Sequence, residues 1–320
     1  MESATTTTPP VERPGLEPRA GVSVGRRPAE RSLTATLRDY LALTKPRIIA
    51  LLLVTTVASM YAANPAGPAV ATVLWTMLGG YLAAGGAGAI NHYLDRERDA
   101  RMARTRGRPL VAGRIAPVHG LAFGVVLGAL AVAQLTLTVN ALAAALALTG
   151  LLGYVFLYTI WLKPLTPQNI VIGGAAGAMP PLVGWAAATG GLAPEALYGF
   201  GIVFLWTPPH FWALSLLIKD DYARTGVPML PVVRGEAATR RQILGYSLLL
   251  VAFTVLPVLS GFLGAIYLGA AIALGGPFVV LALRLWRGPS RRAALRLYLS
   301  SLAYLALLFC AIAFDRVLAD

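Results

Sequence analysis

The chain has 320 residues, 57% of them hydrophobic and 13% charged, with a mean hydropathy of +0.68; a soluble domain carries roughly 25% charged residues, so a soluble globular domain is excluded in favour of a membrane protein. The formal net charge of +13 would ordinarily point to nucleic acid, but the basic residues are apportioned by loop, as set out below, and that reading falls away. The single cysteine, Cys310, leaves no disulfide and no cysteine-ligated metal cluster to consider.

In chain order, residues 1–36 are rich in Thr, Pro and Arg without apolar periodicity, and predict a disordered cytosolic tail ahead of a membrane domain over 37–320. The tail has no apolar core of a signal peptide, and Glu2, Glu12, Glu17 and Glu30 argue against a mitochondrial transit peptide. Uncharged runs then follow at 48–94, 115–162, 164–194, 196–218 and 242–283, each at or above the roughly 20 residues that cross a bilayer as a helix. Divided at turn residues (NPAGP at 64–68, TGG at 189–191, SGF at 260–262), they predict nine spans: 42–62, 69–92, 117–138, 141–161, 169–189, 196–218, 242–260, 263–284 and 295–314. The expected fold is all-α, a polytopic bundle of nine transmembrane helices around a central cavity.

Nine spans put alternate loops on opposite sides. The tail with the start of the first span, and the loops 93–116, 162–168, 219–241 and 284–296, together hold 26 of the 27 Lys and Arg residues, leaving only Arg316 for the other side. The positive-inside rule places those loops and the N-terminus in the cytosol and the C-terminus outside, the arrangement expected of a bacterial inner-membrane protein in contact with anionic lipid.

The densest chemistry lies in NHYLDRERDARMARTRGRPLVAGR, residues 91–114. Over positions 95–114 it places three carboxylates and seven arginines directly after the first long uncharged run. Asn91, Asp95 and Asp99 recur at i, i+4 and i+8 and share one helix face. Oxygen donors in such a row suit Mg²⁺, which usually takes one or two carboxylates plus substrate phosphate oxygens. Glu97 falls on another face, spaced for a surface pair with Arg101. A second acidic loop, KDDYARTGVPMLPVVRG at 219–235, puts Asp220 and Asp221 after the sixth span, with Pro228 and Pro231 keeping it from running on as helix. Facing the same compartment, the two loops could hold two metal ions bridged by a diphosphate, or be ordinary charged interfacial loops. All three lysines, Lys45, Lys163 and Lys219, stand at cytosolic helix ends, where they are either snorkelling anchors or phosphate clamps. Glycines crowd the second and fifth spans, for close helix packing or for room beside a flat ligand. In the sixth span, WTPPHFWAL, Pro208 and Pro209 are expected to break the helix beside His210, an intramembrane histidine that either satisfies freed carbonyls or meets a ligand.

These features together resemble the UbiA-type intramembrane prenyltransferases: NxxxDxxxD at 91–99 after a glycine-rich span, a second acidic loop after span six, and nine spans in all. Four strings are similar to the protohaem IX farnesyltransferase (haem O synthase) branch: TKPRI at 44–48, LKPLTPQNIVIGGAAGAMPPLVGWAA at 162–187, WTPPHFWAL at 206–214 and GVPMLPVV at 226–233. The resemblance covers about residues 37–314. It implies farnesyl diphosphate and haem B as substrates, Mg²⁺ as cofactor, and a downstream haem-modifying oxidase as partner. It implies Asn91, Asp95, Asp99, Asp220 and Asp221 as metal ligands, with Asp221 the stronger of the last two and, with the first three, catalytic. Lys45, Arg47, Arg104, Arg108, Lys163 and Lys219 would neutralise the diphosphate, and His210 would contact haem. The chain departs from relatives that space the second motif DxxxD, since Asp220 and Asp221 are adjacent. A transferase acting on an aromatic quinone precursor and a membrane transporter are the competing readings. Carboxylates gathered in loops, without internal repeat symmetry, weigh against transport.

Overall fold

The computed structural model describes residues 32–319, and residues 1–31 of the expected tail lie outside it. Among the described residues the only regular secondary structure is helix, without a strand. Helix begins earlier than the sequence implies. Ser32 caps α1 (Leu33–Thr44), its hydroxyl accepting from Ala35 N, so residues 33–36 are helical rather than part of the tail. The first span is also shorter than expected, because Lys45 interrupts it. With φ 59° and ψ 55°, Lys45 is the one non-glycine residue of positive φ among those described. Pro46 then opens α2 (Pro46–Ala63), its fixed φ and missing N–H both suited to a first helical position.

The remaining elements are α3 (Val70–Leu94), the short α4 (Arg96–Ala100), α5 (Pro117–Thr138), α6 (Ala141–Leu165), α7 (Asn169–Thr189), α8 (Ala196–Leu217), α9 (Lys219–Thr225), α10 (Leu230–Val233), α11 (Gly235–Leu259), α12 (Ala265–Arg287) and α13 (Arg291–Ala319). Nine of these, α2, α3, α5 to α8 and α11 to α13, are long and apolar enough to cross a membrane, which makes the chain a multi-pass membrane protein. The long loops between α4 and α5 and between α8 and α11 fall at one end of the bundle, termed here the loop-rich end.

Close helix contact explains several of the glycines. A Cβ on Gly86 of α3 would stand 2.7 Å from the Gly124 carbonyl oxygen of α5, and one on Gly184 of α7 would collide with the Thr56 carbonyl oxygen of α2. The obstruction in each case is backbone, so only a residue without a side chain lets these pairs approach. At the opposite end, Asp315 is buried and its carboxylate accepts from Gly264 N (2.6 Å) and Tyr267 N (3.0 Å), satisfying orphan donors at the start of α12. Arg316 beside it donates to the Ala62 carbonyl and lies over the Phe262 ring.

Two local expectations are corrected. Pro208 and Pro209 do not break α8, which runs unbroken from Ala196 to Leu217. Proline's φ is compatible with helix, and what it removes is the donor to the carbonyl four residues back. Neighbouring contacts hold the segment: Trp206 Nε1 donates to the Ser301 carbonyl of α13, and Thr207 Oγ1 donates to the Val203 carbonyl. In the second acidic loop Gly226 ends α9 in the left-handed region, but Pro231 sits in the first turn of α10 and starts helix instead of stopping it.

Candidate active site

The loop-rich end gathers the acidic residues through three chain segments. Helix α3 ends at Leu94, and Asp95 N and Asp99 N donate to the carbonyls of Asn91 (2.9 Å) and Asp95 (2.8 Å). This i→i+4 ladder carries the helical register from α3 into α4, so Asn91, Asp95 and Asp99 keep the shared face that their spacing implies. All three are buried, at 4%, 2% and 4% exposure, whereas the Glu97 side chain is 82% exposed. Glu97 pairs with Arg96 (3.4 Å) and not with Arg101: adjacent residues met at the surface, where flexible chains choose among neighbours.

Asn91 and Asp95 are the centre of a continuous network. Lys45 Nζ donates to Asn91 Oδ1 (2.7 Å). Asn91 Nδ2 donates both to Asp95 Oδ2 (2.8 Å) and to Thr159 Oγ1 of α6 (3.1 Å). Lys163 Nζ, also from α6, closes on Asp95 Oδ2, and Arg98 Nη1 lies 3.3 Å from Asp95 Oδ1. Asp99 is held by Arg108 Nη1, and its carbonyl accepts from the Thr105 hydroxyl. Burial works against ionising Asp95, but the ammonium of Lys163, with the Asn91 amide and Arg98, outweighs it and holds the carboxyl below the usual carboxylate range. Burial lowers Lys45 to about 7, with Arg108 and Lys163 adding to the effect and Asp95 and Asp99 opposing it. Lys45 also stands 5.9 Å from the centroid of the Tyr154 ring, which stacks on Tyr158.

From the second loop, Asp221 is buried and paired with Arg224, while Asp220 is exposed. Tyr222 beside it is buried, and burial raises its phenol, with Asp95 of the first acidic loop and Asp221 adding to the effect and Arg104 and Arg108 opposing it. The structure thus brings Lys45, Asn91, Asp95, Asp99, Arg108, Lys163 and Asp221 to one end and one neighbourhood. Other expected residues stand apart. Lys219 pairs with Glu236 (2.7 Å), which raises its ammonium, and Arg47 is exposed; Arg104, exposed as well, borders the group, its charge acting on Tyr222. His210 lies deeper in α8, its Nδ1 2.7 Å from Ser301 Oγ and its ring stacked on Trp206 (4.2 Å) and Tyr298 (4.9 Å). It therefore does not serve the carbonyls freed by the prolines. Thr159, Tyr154, Tyr222 and Arg98 were not anticipated as site residues; Tyr222 and Arg98 lie in the strings that carry Asp221 and Asp95, whereas Tyr154 and Thr159 lie within the fourth expected span, where nothing in the sequence marked them.

Chemically, the site offers hard oxygen donors interleaved with Lys and Arg at the mouth of an apolar bundle, suited to a divalent cation and a polyanion carrying a greasy chain. The model of the UbiA prenyltransferase family matches residues 52–310. A protein of Roseiflexus sp. (strain RS-1), called protoheme IX farnesyltransferase, is 57% identical over 282 residues, covering 88% of this chain and 53% of the relative; the chain spans about half that relative's length. The protoheme IX farnesyltransferase of Symbiobacterium thermophilum is 54% identical over 281 residues, covering 87% of this chain and 94% of the relative. Among solved structures, a UbiA homolog from Archaeoglobus fulgidus bound to DMAPP and Mg²⁺ superposes with a TM-score of 0.68 at 17% identity, covering 88% of this chain and 100% of that one. With the family model matching most of the chain and a relative 54% identical along 94% of its length, the chain belongs to the UbiA prenyltransferase family.

Proposed function

We propose that the chain transfers the farnesyl group of farnesyl diphosphate to a vinyl group of haem B, giving haem O, with Mg²⁺ at the buried acidic end. The observation that carries this reading is the Lys45–Asn91–Asp95–Lys163 chain of hydrogen bonds, set beside Asp99–Arg108. The names of the Roseiflexus and Symbiobacterium relatives support the choice of prenyl donor and acceptor, and the Archaeoglobus neighbour supports a prenyl diphosphate with Mg²⁺.

The donor set fits the ion. Among the described residues no three His, Cys, Asp or Glu stand close enough to hold a metal by themselves. Mg²⁺ needs fewer, since substrate phosphates complete its shell. Asn91, Asp95, Asp99 and Asp221 would hold it, and bound there it would draw electron density from the diphosphate as a Lewis acid. The chain's own cations then have a second task. Lys45, Lys163 and Arg108 now satisfy buried oxygens, and with a diphosphate present they are the donors to its oxygens. In the reaction, the bond from C1 of the farnesyl chain to oxygen breaks and its electron pair leaves with diphosphate. The vinyl terminus attacks C1, forming a carbon–carbon bond. Water adds to the cation left on the porphyrin side and loses a proton, giving the hydroxyethylfarnesyl group. Burial keeps water from the allylic cation until the vinyl has attacked. With Nδ1 engaged by Ser301, Nε2 of His210 is the nitrogen left for a haem.

The basic loops favour an inner membrane with the loop-rich end cytosolic. Pigment extraction with mass spectrometry, on membranes with and without the chain, tests the function. Haem O appearing only with the chain supports it, whereas unchanged haem with a prenylated quinone precursor would replace the acceptor.

A further inference from the structure

Helix α6 contains an unusual stretch. Over Gly153–Leu162 it is a π-helix of ten residues, where π-helix normally occurs as single turns, often at functional sites. The consequence for side-chain direction is large. At 3.6 residues per turn, Thr159 would point about 140° from Tyr154 and Lys163 about 180° from it. The i→i+5 pattern of a π-helix turns less per residue and brings residues five apart towards one face. All three side chains reach the same network: Lys45 lies over Tyr154 and on Asn91, Thr159 meets Asn91, and Lys163 meets Asp95. Phe156, Ile160 and Trp161 take the outward face, at 59%, 48% and 62% exposure.

Thr159 occupies the middle of this face and is 1% exposed. Its hydroxyl donates to the Tyr154 carbonyl five residues back (2.9 Å), so towards Asn91 its oxygen acts as acceptor. The Asp95 carboxylate is likewise an acceptor, and Lys45 is a donor. These three neighbours agree on one orientation of the Asn91 amide: Nδ2 towards Thr159 and Asp95, Oδ1 towards Lys45. A carboxamide oxygen is a Mg²⁺ ligand and its nitrogen is not.

We propose that Thr159 is a positioning residue, aimed by the π-helical segment of α6 so that its hydroxyl fixes the Asn91 amide with Oδ1 presented to the cation and diphosphate. This rests on the reading of Asn91 as a metal ligand.

The test is a double-mutant cycle on the full chain in detergent. Mn²⁺ binding in the presence of inorganic diphosphate is followed by electron paramagnetic resonance. Thr159→Val removes the acceptor at nearly constant volume and weakens Mn²⁺ about tenfold; Thr159→Ser keeps the hydroxyl and restores binding to within about twofold. In an Asn91→Asp background there is no amide to orient, and Thr159→Val has no further effect. Should the valine variant fail to insert, Thr159→Ala takes its place with the same expectations. Equal weakening in both backgrounds makes Thr159 a packing residue and overturns the proposal, as does unchanged binding in Thr159→Val. No Mn²⁺ binding by the wild type is a different result: it overturns the metal reading itself, and this inference with it.

Discussion

Replacing Lys163 by Met tests whether the acidic end is held together by the cations assigned to the diphosphate. Asp95 is 2% exposed in its side chain and Lys163 13%, so the change leaves a buried carboxylate without its principal counter-charge. Breaking a buried pair from one side costs about 3–5 kcal/mol. Asp95 keeps the Asn91 amide at 2.8 Å and Arg98 at 3.3 Å, which puts the cost at the lower end, about 3 kcal/mol. At about 2.1 cal/mol/K of unfolding entropy per residue over 320 residues, each kcal/mol shifts the midpoint by roughly 1.5 °C, so it falls by about 4–5 °C. Thermal unfolding of the purified chain, read by tryptophan fluorescence in EDTA, measures it. In an Asp95→Asn background, Lys163→Met costs less than about 1 kcal/mol, because no buried charge is left unpaired. The same large loss in both backgrounds refutes the electrostatic account and assigns Lys163 a packing role.

Asp95→Asn and Asp99→Asn each abolish prenyl transfer with the protein still inserted, whereas Glu97→Gln, at the exposed surface, retains most of it; comparable loss in Glu97→Gln contradicts the shared-face argument. Lys45 titrates at about 7 in the fold against 10.5 for the free side chain, so between those values the unfolded chain binds a proton that the folded chain lacks, and this residue's contribution to stability rises with pH across the window and is flat below it. Its charged form is the one that attracts diphosphate, so calorimetric affinity for inorganic diphosphate falls between about pH 6 and 8.5, and Lys45→Arg, charged throughout, flattens the slope; an equal slope in the variant removes Lys45 from the clamp. His210→Gln leaves diphosphate binding intact and alters the absorption band of added haem; an unchanged band with normal product makes His210 a structural partner of Ser301. With Cys310 replaced, cysteines engineered at 93–116 are labelled only from the cytosolic side; labelling from outside intact cells reverses the topology.

The spans were legible in the sequence because a bilayer imposes length and apolarity, and all nine sit close to where the uncharged runs place them, with the seventh (Gly235–Leu259) and ninth (Arg291–Ala319) reaching further into the charged loops than expected. The first is shorter because Lys45 adopts a left-handed conformation, which local hydropathy does not encode. That Asn91, Asp95 and Asp99 share one helix face was legible through spacing, since four residues advance a helix by one turn and about 40°. The pairings were not: Lys163 meets Asp95 across 68 residues of sequence, and only the packing of α6 on α3 sets that distance. Pro208 and Pro209 misled because proline's local penalty is offset by contacts from α13. Lys219 and Lys163 look alike as helix-end lysines, yet Glu236 takes one and Asp95 the other. The π-helical winding of α6 leaves no mark in the hydrophobic pattern of Gly153–Leu162, so the convergence of Tyr154, Thr159 and Lys163 had to come from structure.

The most direct measurement of the central claim is a single-turnover reaction of the purified chain with farnesyl diphosphate, haem B and Mg²⁺ in ¹⁸O-labelled water, with the product analysed by mass spectrometry. The account predicts haem carrying one farnesyl group and one labelled hydroxyl, formed by the wild type and not by Asp95→Asn or after EDTA. Haem recovered unmodified, farnesylated without the label, or modified equally by Asp95→Asn would contradict it.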